Sequence, residues 1–226
     1  MSPKTLMNLG RRILIISFVL LLAISSFGYF FWYRPKFSKH PPAKNFAYNR
    51  NTGSAAREVL SRLKLKAAEA KNYVNEHGFS RNHCFLIDMR VPSGMKRFFV
   101  YNLKKDSVEL AGLVTHGSGS QADSDDLVFS NKSNSYCTSL GRYRIGKSYN
   151  GTFGLAYKLY GLDESNDNAF NRCVVLHGHV CVPSGEVYPA GICLSLGCPT
   201  VSPTFLTKLQ EYLDQSKSPL MLWIYY

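Results

Sequence analysis

After Gly78 the sequence breaks into short runs rich in β-branched and aromatic residues, and this pattern limits the fold more than any other feature. Glycine, serine and asparagine separate the runs, as expected for strands that are joined by turns. The predicted strands cover residues 84–91, 98–103, 108–114, 143–149, 155–159, 173–176 and 220–225. We therefore expect a mainly β core over residues 79–226.

Two helices are predicted to flank this core. Between residues 54 and 78, apolar residues recur every three or four positions: Val59, Leu60, Leu63, Ala67, Ala70 and Val74. Ser54 is placed to cap this helix and Gly78 to end it. Its basic face is interpreted as solvated rather than as a binding surface. A second helix is expected after Ser202, with Pro203 in its first turn.

The N-terminal region contains a long apolar segment. From Ile13 to Trp32, twenty consecutive residues bear no charge, and at about 1.5 Å per residue such a helix crosses a bilayer core of about 30 Å. We expect a basic tail over residues 1–12, an uncleaved transmembrane anchor over residues 13–33 and a linker over residues 34–53. A cleaved signal peptide is the alternative, because basic residues precede the apolar run.

The net charge of +12 is unevenly distributed. Residues 1–50 hold eight Lys and Arg residues and no acidic residue, whereas residues 101–226 hold ten basic and eleven acidic residues. The basic excess therefore lies near the predicted anchor, where anionic lipid or a wall polymer is a suitable partner. No basic stripe with interleaved aromatic residues accompanies the reactive motif described below, so no nucleic-acid partner is expected.

The stretch from residue 174 to residue 201 carries the candidate chemistry. A predicted strand delivers His177-Gly178, and the motif Ser195-Leu196-Gly197-Cys198 places its cysteine twenty-one residues after that histidine. A cysteine nucleophile reacts as the thiolate, so it needs a neighbouring imidazole and backbone amides that receive the oxyanion. Cysteine is more often a packing residue, but the histidine and the glycine turn favour catalysis here.

These residues resemble the murein L,D-transpeptidase catalytic-domain family, a branch of the YkuD-like L,D-transpeptidases. The similarity extends over residues 85–226 in a consistent order: Thr115-His116-Gly117, Phe129-Ser130-Asn131, Ser139-Leu140-Gly141-Arg142-Tyr143, Tyr149-Asn150-Gly151, Gly161-Leu162, residues 166–172, His177-Gly178 and Ser195-Leu196-Gly197-Cys198-Pro199. The resemblance implies a β-rich L,D-transpeptidase-like fold. It also implies a thioester between Cys198 and a tetrapeptide stem of peptidoglycan, with loss of D-alanine and transfer to an amine.

The resemblance also implies roles for other residues. His177 is expected to act as the base, while Gly178 and Ser195 help to place the imidazole and the nucleophile turn. The amides of Gly197 and Cys198 are expected to form the oxyanion site. Substrate contacts are expected from four further residues: His116, Asn131, Arg172 and His179. A wall substrate implies an inner-membrane protein whose catalytic domain lies in the periplasm or outside the cell.

Some alternatives stay open at this point. His179 is a rival base, because residues two apart on a strand share a face, and for His116 a buried packing role is an equal alternative. Thr200 stands where many YkuD-like enzymes have Arg or Asn, which is a departure from the family pattern. The acceptor is equally a second stem, water, a D-amino acid or a protein amine.

The six cysteines allow further readings. A disulfide between Cys181 and Cys193 is one possibility for an exported protein, with two free thiols as the other. A zinc site built from His177, His179 and nearby cysteines is a rival interpretation, although its spacing matches no familiar zinc module. A wall-binding module without catalysis is another. No cofactor or metal is expected.

Overall fold

The computed structural model describes residues 15–22, 25–26, 52–121 and 126–226. The chain divides into two units, Met1–Ala47 and Tyr48–Tyr226. In the first unit the described residues are helical and exposed. Within the described parts of the chain, no helix combines the length and apolar character that a membrane crossing needs. The predicted tail, anchor and linker fall largely outside the described residues and stay predictions.

The second unit begins with helix α1, Thr52–Glu76. Its start lies two residues before the predicted one, so Ser54 is inside the helix and does not cap it. Gly78 adopts φ +72° just after the helix, a left-handed conformation that glycine enters without a steric penalty. The predicted end of this helix is therefore confirmed.

An eight-stranded sheet forms the centre of this unit. Its strands are β1 (His83–Asp88), β2 (Phe98–Asn102), β3 (Ser107–Gly112), β4 (Gly141–Gly151), β5 (Gly154–Gly161), β6 (Val175–Gly178), β7 (Thr200–Val201) and β8 (Met221–Tyr225). The spatial order is β3-β2-β1-β8-β4-β5-β6-β7. The β1–β8 and β6–β7 pairs are parallel and the others are antiparallel. The β-rich core is confirmed, and β7 is an addition that the sequence pattern did not predict.

Both faces of the sheet are buried. On one face, α1 packs Leu63, Ala67, Ala70 and Val74 against β1, β2 and β8. On the other face, helix α2 (Pro203–Gln215) packs Phe205, Leu206 and Leu209 against the same strands. Burying such side chains is the main driving force for this arrangement, at about 1.5–3 kcal/mol for each large one. The two predicted flanking helices are thus observed on opposite faces.

The start of α2 follows the predicted chemistry. The side chain of Ser202 accepts a hydrogen bond from the backbone N–H of Phe205 at 3.2 Å, and Pro203 occupies the first turn. Ser202 comes directly after β7, which pairs with β6 in the register His177↔Thr200. Because β7 is only two residues long, this arrangement holds the end of β6, the residues before β7 and the start of α2 close together.

Candidate active site

The nucleophile turn, residues 195–198, is held by the extended segment 115–118. Ser195 donates its backbone N–H to the carbonyl of His116 at 3.0 Å, and its own carbonyl accepts from Ser118 N–H at 2.7 Å. The Thr115 hydroxyl donates to the carbonyl of Cys198 at 3.1 Å. Backbone and side-chain bonds therefore fix both ends of the turn.

Gly197 has a conformation that other residues rarely adopt. Its φ is +111°, and a Cβ at this position would lie 2.8 Å from the carbonyl oxygen of Cys137. The prediction of a tight glycine turn is confirmed. The Gly197 amide, however, already donates to Ser195 Oγ at 3.1 Å. In this arrangement the Gly197 amide is therefore not free for an oxyanion. Among the described residues, the Cys198 amide has no hydrogen-bond acceptor.

The sulfur of Cys198 lies in a half-buried position behind this turn. Sγ accepts from the backbone N–H of Val175 at 3.4 Å, and the thiol donates to the carbonyl of Cys173 at 3.7 Å. Burial raises the pKa of the Cys198 thiol, while the Val175 N–H and the Arg172 guanidinium act in the opposite direction. The resting group is therefore a thiol, and a base must remove its proton before it reacts.

His177 has the protonation pattern of such a base. Its ring is only 7% exposed, and Nδ1 lies 3.2 Å from the carbonyl oxygen of Gly178. A carbonyl can only accept, so Nδ1 carries the proton and Nε2 accepts from the Thr200 hydroxyl at 3.0 Å. Burial lowers the pKa of His177, the Gly178 carbonyl raises it and His179 lowers it. The imidazole is thus neutral, with its lone pair on Nε2.

Cys198 and His177 are neighbours that do not bond to each other here. Cys198 comes two residues before Thr200, the register partner of His177. Sγ is engaged by the backbone N–H of Val175 in β6 and by the carbonyl of Cys173, two residues before that strand, and Nε2 is engaged by the Thr200 hydroxyl. The direct thiol–imidazole hydrogen bond expected from the sequence is absent among the described residues, and Sγ and Nε2 each bond to other groups instead.

Comparison with known protein families gives a match over residues 56–225, to the L,D-transpeptidase catalytic domain family YkuD_2. The chain belongs to the L,D-transpeptidase catalytic domain family. This agrees with the resemblance stated from the sequence motifs. No curated protein matches the chain.

Solved structures show weaker similarity to this L,D-transpeptidase catalytic domain. The helical cell shape determining protein Pgp2 from Campylobacter jejuni is 12% identical with a TM-score of 0.40, over 63% of this chain and 46% of that one. The L,D-transpeptidase from Xylanimonas cellulosilytica is 15% identical with a TM-score of 0.34, over 66% and 62%. Bd1075 from Bdellovibrio bacteriovorus is 16% identical with a TM-score of 0.37, over 66% and 49%. The chain thus spans between about half and three fifths of their lengths.

Arg172 of this L,D-transpeptidase domain lies beneath the nucleophile turn. Its guanidinium donates to the carbonyls of Ser130 at 2.9 Å and Cys137 at 2.6 Å, and to the Ser139 hydroxyl at 3.2 Å. It also lines, with Leu196, a cavity of about 240 Å³. These donors hold backbone and hydroxyl groups of residues 130–139, and the predicted contact of Arg172 with substrate carboxylates stays a prediction.

The side chains of two other predicted substrate residues also form hydrogen bonds within the protein. The Asn131 side-chain amide donates to the carbonyl of Glu164 at 3.2 Å and to the carboxylate of Asp167 at 2.6 Å. The His116 ring is 7% exposed and its Nδ1 accepts from the Arg97 guanidinium at 3.0 Å. Both assignments as substrate contacts stay predictions, and the burial of His116 and its bond to Arg97 favour the alternative packing role. His116 reaches the site through its backbone carbonyl.

His179 lies just beyond the end of β6. Its Nδ1 accepts from the backbone N–H of Cys181 at 3.2 Å, so this nitrogen is occupied inside its own loop. Cys181 forms a disulfide with Cys193. The predicted disulfide is observed, and it removes two thiolate ligands from the alternative zinc site. Of the two histidines, only His177 borders the strand position of Thr200.

Three groups at the site were not given a role from the sequence. They are the backbone N–H of Val175, the hydroxyl of Thr200 and the ring of Phe153, which stacks on His177. Thr200 was noted only as a departure from the family pattern. Phe153 had one available signal, its place between Gly151 and Gly154 in the segment that joins two predicted strands, but its contact with the histidine depends on strand register.

Proposed function

We propose that this domain transfers peptidoglycan stem peptides through a thioester on Cys198. The observation that carries the proposal is the state of His177, a neutral imidazole with its proton fixed on Nδ1 and its lone pair on Nε2, beside the glycine turn that presents the thiol. This is the combination that nucleophilic cysteine chemistry requires. The family membership supports the same reaction class.

In the first half-reaction, the Cys198 thiol transfers its proton to His177 Nε2, once the Thr200 hydroxyl has turned away from that nitrogen. The thiolate then adds to the carbonyl carbon of the stem peptide, and the oxyanion is placed near the Cys198 amide. When the C–N bond breaks, the leaving amine takes the proton from Nε2. The products are a thioester on Sγ and a free amino acid.

In the second half-reaction, an acceptor amine replaces the leaving group. Nε2 removes a proton as the amine attacks the thioester, the C–S bond breaks, and the sulfur recovers that proton as a thiol. Arg172 supports the ionised intermediate state, because its positive charge lowers the pKa of Cys198. Burial opposes this effect, so the thiolate is formed only transiently.

The resemblance gives the substrate as a tetrapeptide stem that is cut beside meso-diaminopimelate, with D-alanine as the leaving group. The cavity lined by Leu196 and Arg172 adjoins the nucleophile turn. We propose that it receives the side of the stem next to the reacting carbonyl, and that a second stem provides the acceptor amine.

The cellular setting follows from this substrate. Peptidoglycan lies outside the cytoplasm, so we propose that the catalytic domain faces the periplasm or the cell exterior and that residues 13–33 anchor it in the inner membrane. The disulfide Cys181–Cys193 supports this setting, because disulfides persist in oxidising compartments.

The test is incubation of the full chain, in detergent, with disaccharide tetrapeptide. We expect release of D-alanine and a tripeptide acyl group on Cys198, detected by mass analysis of peptides, and a crosslinked product when stems are in excess. Cys198→Ala removes both signals. Cys173→Ala is the matched control, since it removes an exposed thiol on the same side of the turn. Release of D-alanine by Cys198→Ala would show that another group is the nucleophile.

A further inference from the structure

The tip of the β4–β5 hairpin brings an aromatic ring onto the candidate base. Ala156 of β5 is the register partner of His177, and Phe153 precedes it by three residues in the turn. The Phe153 and His177 rings have centroids 5.0 Å apart and an interplanar angle of 18°. The two rings are therefore stacked, with an offset between their centres.

The same ring also touches the second histidine of the motif. Phe153 meets His179 edge to face, with centroids 5.3 Å apart and an angle of 79°. Phe153 itself is 59% exposed, whereas the His177 ring that it covers is 7% exposed. Part of this phenylalanine is thus exposed to solvent while its ring stacks on the imidazole.

We infer that Phe153 is a positioning residue, which holds the His177 ring in the plane in which Nδ1 faces the Gly178 carbonyl and Nε2 faces the Thr200 hydroxyl. The inference rests on the function proposed above, and it assigns a role to a residue outside the motifs that carry the family resemblance.

The hydrogen bonds of His177 do not by themselves fix the plane of its ring. The Gly178 carbonyl and the Thr200 hydroxyl hold the two nitrogens at the edges of the ring. The second side-chain torsion of histidine is broad, so two bonds at the edges still allow the ring to tilt out of plane. A ring stacked on the face resists that tilt.

The chemistry of phenylalanine suits this role. Its ring neither donates nor accepts a conventional hydrogen bond, so it does not compete for Nε2 with the thiol or with the acceptor amine. It also keeps water from one face of the imidazole. When His177 becomes protonated during the reaction, the π face of Phe153 remains a favourable neighbour for the positive charge.

The alternative is that Phe153 forms a wall for the substrate. The two roles differ in the kinetic constant that they affect, because a binding contact made equally in ground state and transition state changes KM alone. Misplacement of a catalytic group lowers kcat instead.

The experiment measures kcat and KM for D-alanine release by the full chain with Phe153→Ala, Phe153→Tyr and Tyr149→Ala. Tyr149 is the matched control, since its exposed ring lies on the same hairpin and contacts Lys158. We expect Phe153→Ala to lower kcat by about tenfold or more with KM nearly unchanged, and Phe153→Tyr to restore it. Nitrogen-15 spectra of the His177 ring should show a single tautomer in the wild-type chain and a mixture in Phe153→Ala.

The outcomes separate the two proposals. A rise in KM with unchanged kcat, an equal loss of kcat in Tyr149→Ala, or unchanged kinetics together with an unchanged ring spectrum in Phe153→Ala would each overturn the positioning role alone. An inactive wild-type chain, or an active Cys198→Ala, would instead overturn the proposed function and this inference with it.

Discussion

His116 and His177 each stand before a glycine and are equally buried, but their rings face different groups. Each histidine is followed by glycine, each ring is 7% exposed, and burial lowers the pKa of each. His116 accepts a hydrogen bond from the buried Arg97 guanidinium, which adds to the burial and lowers its pKa to about 4. His177 has a carbonyl on one nitrogen and a hydroxyl on the other.

The difference lies in what faces each ring. A permanent cation beside His116 repels an imidazolium, so this ring stays neutral and serves as an acceptor for Arg97. The Gly178 carbonyl beside His177 favours the protonated form, which offsets part of the burial. A buried histidine can therefore work as a base only where its neighbours tolerate both protonation states, and the neighbours of His177 do.

The largest expected effect is the contrast between His177→Gln and His116→Gln. Glutamine keeps a polar group of similar size but cannot act as a base near neutral pH. We expect His177→Gln to lower the rate of D-alanine release by about 10²- to 10⁴-fold, the usual contribution of general base catalysis. His116→Gln should stay within a few-fold of the wild-type rate. Cys198 acylation, followed by mass analysis, provides the measurement.

The same two variants can also show that the proposed difference between His116 and His177 is wrong. A loss of rate in His116→Gln as large as in His177→Gln, with unchanged unfolding in urea, would mean that His116 takes part in the reaction. Circular dichroism of both variants is the control that separates loss of fold from loss of chemistry.

The next effect is the pH dependence of stability. Because folding lowers the pKa of His116 to about 4 from an ordinary 6.5, the unfolded chain binds the extra proton between these values. The stabilisation is thus complete above pH 6.5 and is lost as the pH falls towards 4. We expect a loss of about 2 kcal/mol between pH 7 and pH 5 from this group, measured as urea unfolding of the wild-type chain.

His116→Gln is the control for this dependence, because carboxylates and His177 titrate in both chains. The wild type should lose about 2 kcal/mol more than the variant over the same pH range. Parallel pH profiles of the two chains would show that His116 is not held neutral by burial and by Arg97.

Much of the fold could be predicted from the sequence, because its helices and strands carry local sequence patterns. The strands β1 to β6 and β8 coincide with runs of β-branched and aromatic residues. The start of α2 is indicated by Ser202, which caps the helix, and by Pro203 in its first turn. β7 was missed because two residues carry no periodicity. The strand order was out of reach, since the pairing of β8 between β1 and β4 depends on contacts far apart in sequence.

The candidate site could be predicted only in part, because the sequence does not show which partners its polar side chains face. Cys198, His177 and Gly197 belong to one motif, and the left-handed φ of Gly197 could be anticipated from its place in the turn. The roles of Arg172 and Asn131 could not, because a polar residue near a reactive motif looks the same whether it faces a ligand or a backbone carbonyl. Here both face the protein.

The smallest expected effect tests how His177 is held. The Thr200 hydroxyl donates to Nε2 at 3.0 Å, a bond that only the neutral ring can accept. Thr200→Val removes it, and a hydrogen bond of about 0.5–1.5 kcal/mol corresponds to a rise in the pKa of His177 of at most about one pH unit. The acid limb of the activity profile should move upward by the same amount, while the titration of His116 stays unchanged.

Thr200→Ser is the matched control, because it keeps the hydroxyl and should keep the wild-type profile. If Thr200→Val instead lost as much activity as His177→Gln, the hydroxyl would be carrying the proton between Cys198 and His177 rather than only occupying Nε2. If the pKa of His177 did not move, the hydroxyl would not be its donor in solution. Either result would change the explanation of why the two buried histidines differ. In that explanation, Nε2 of His177 is the only proton acceptor in the reaction.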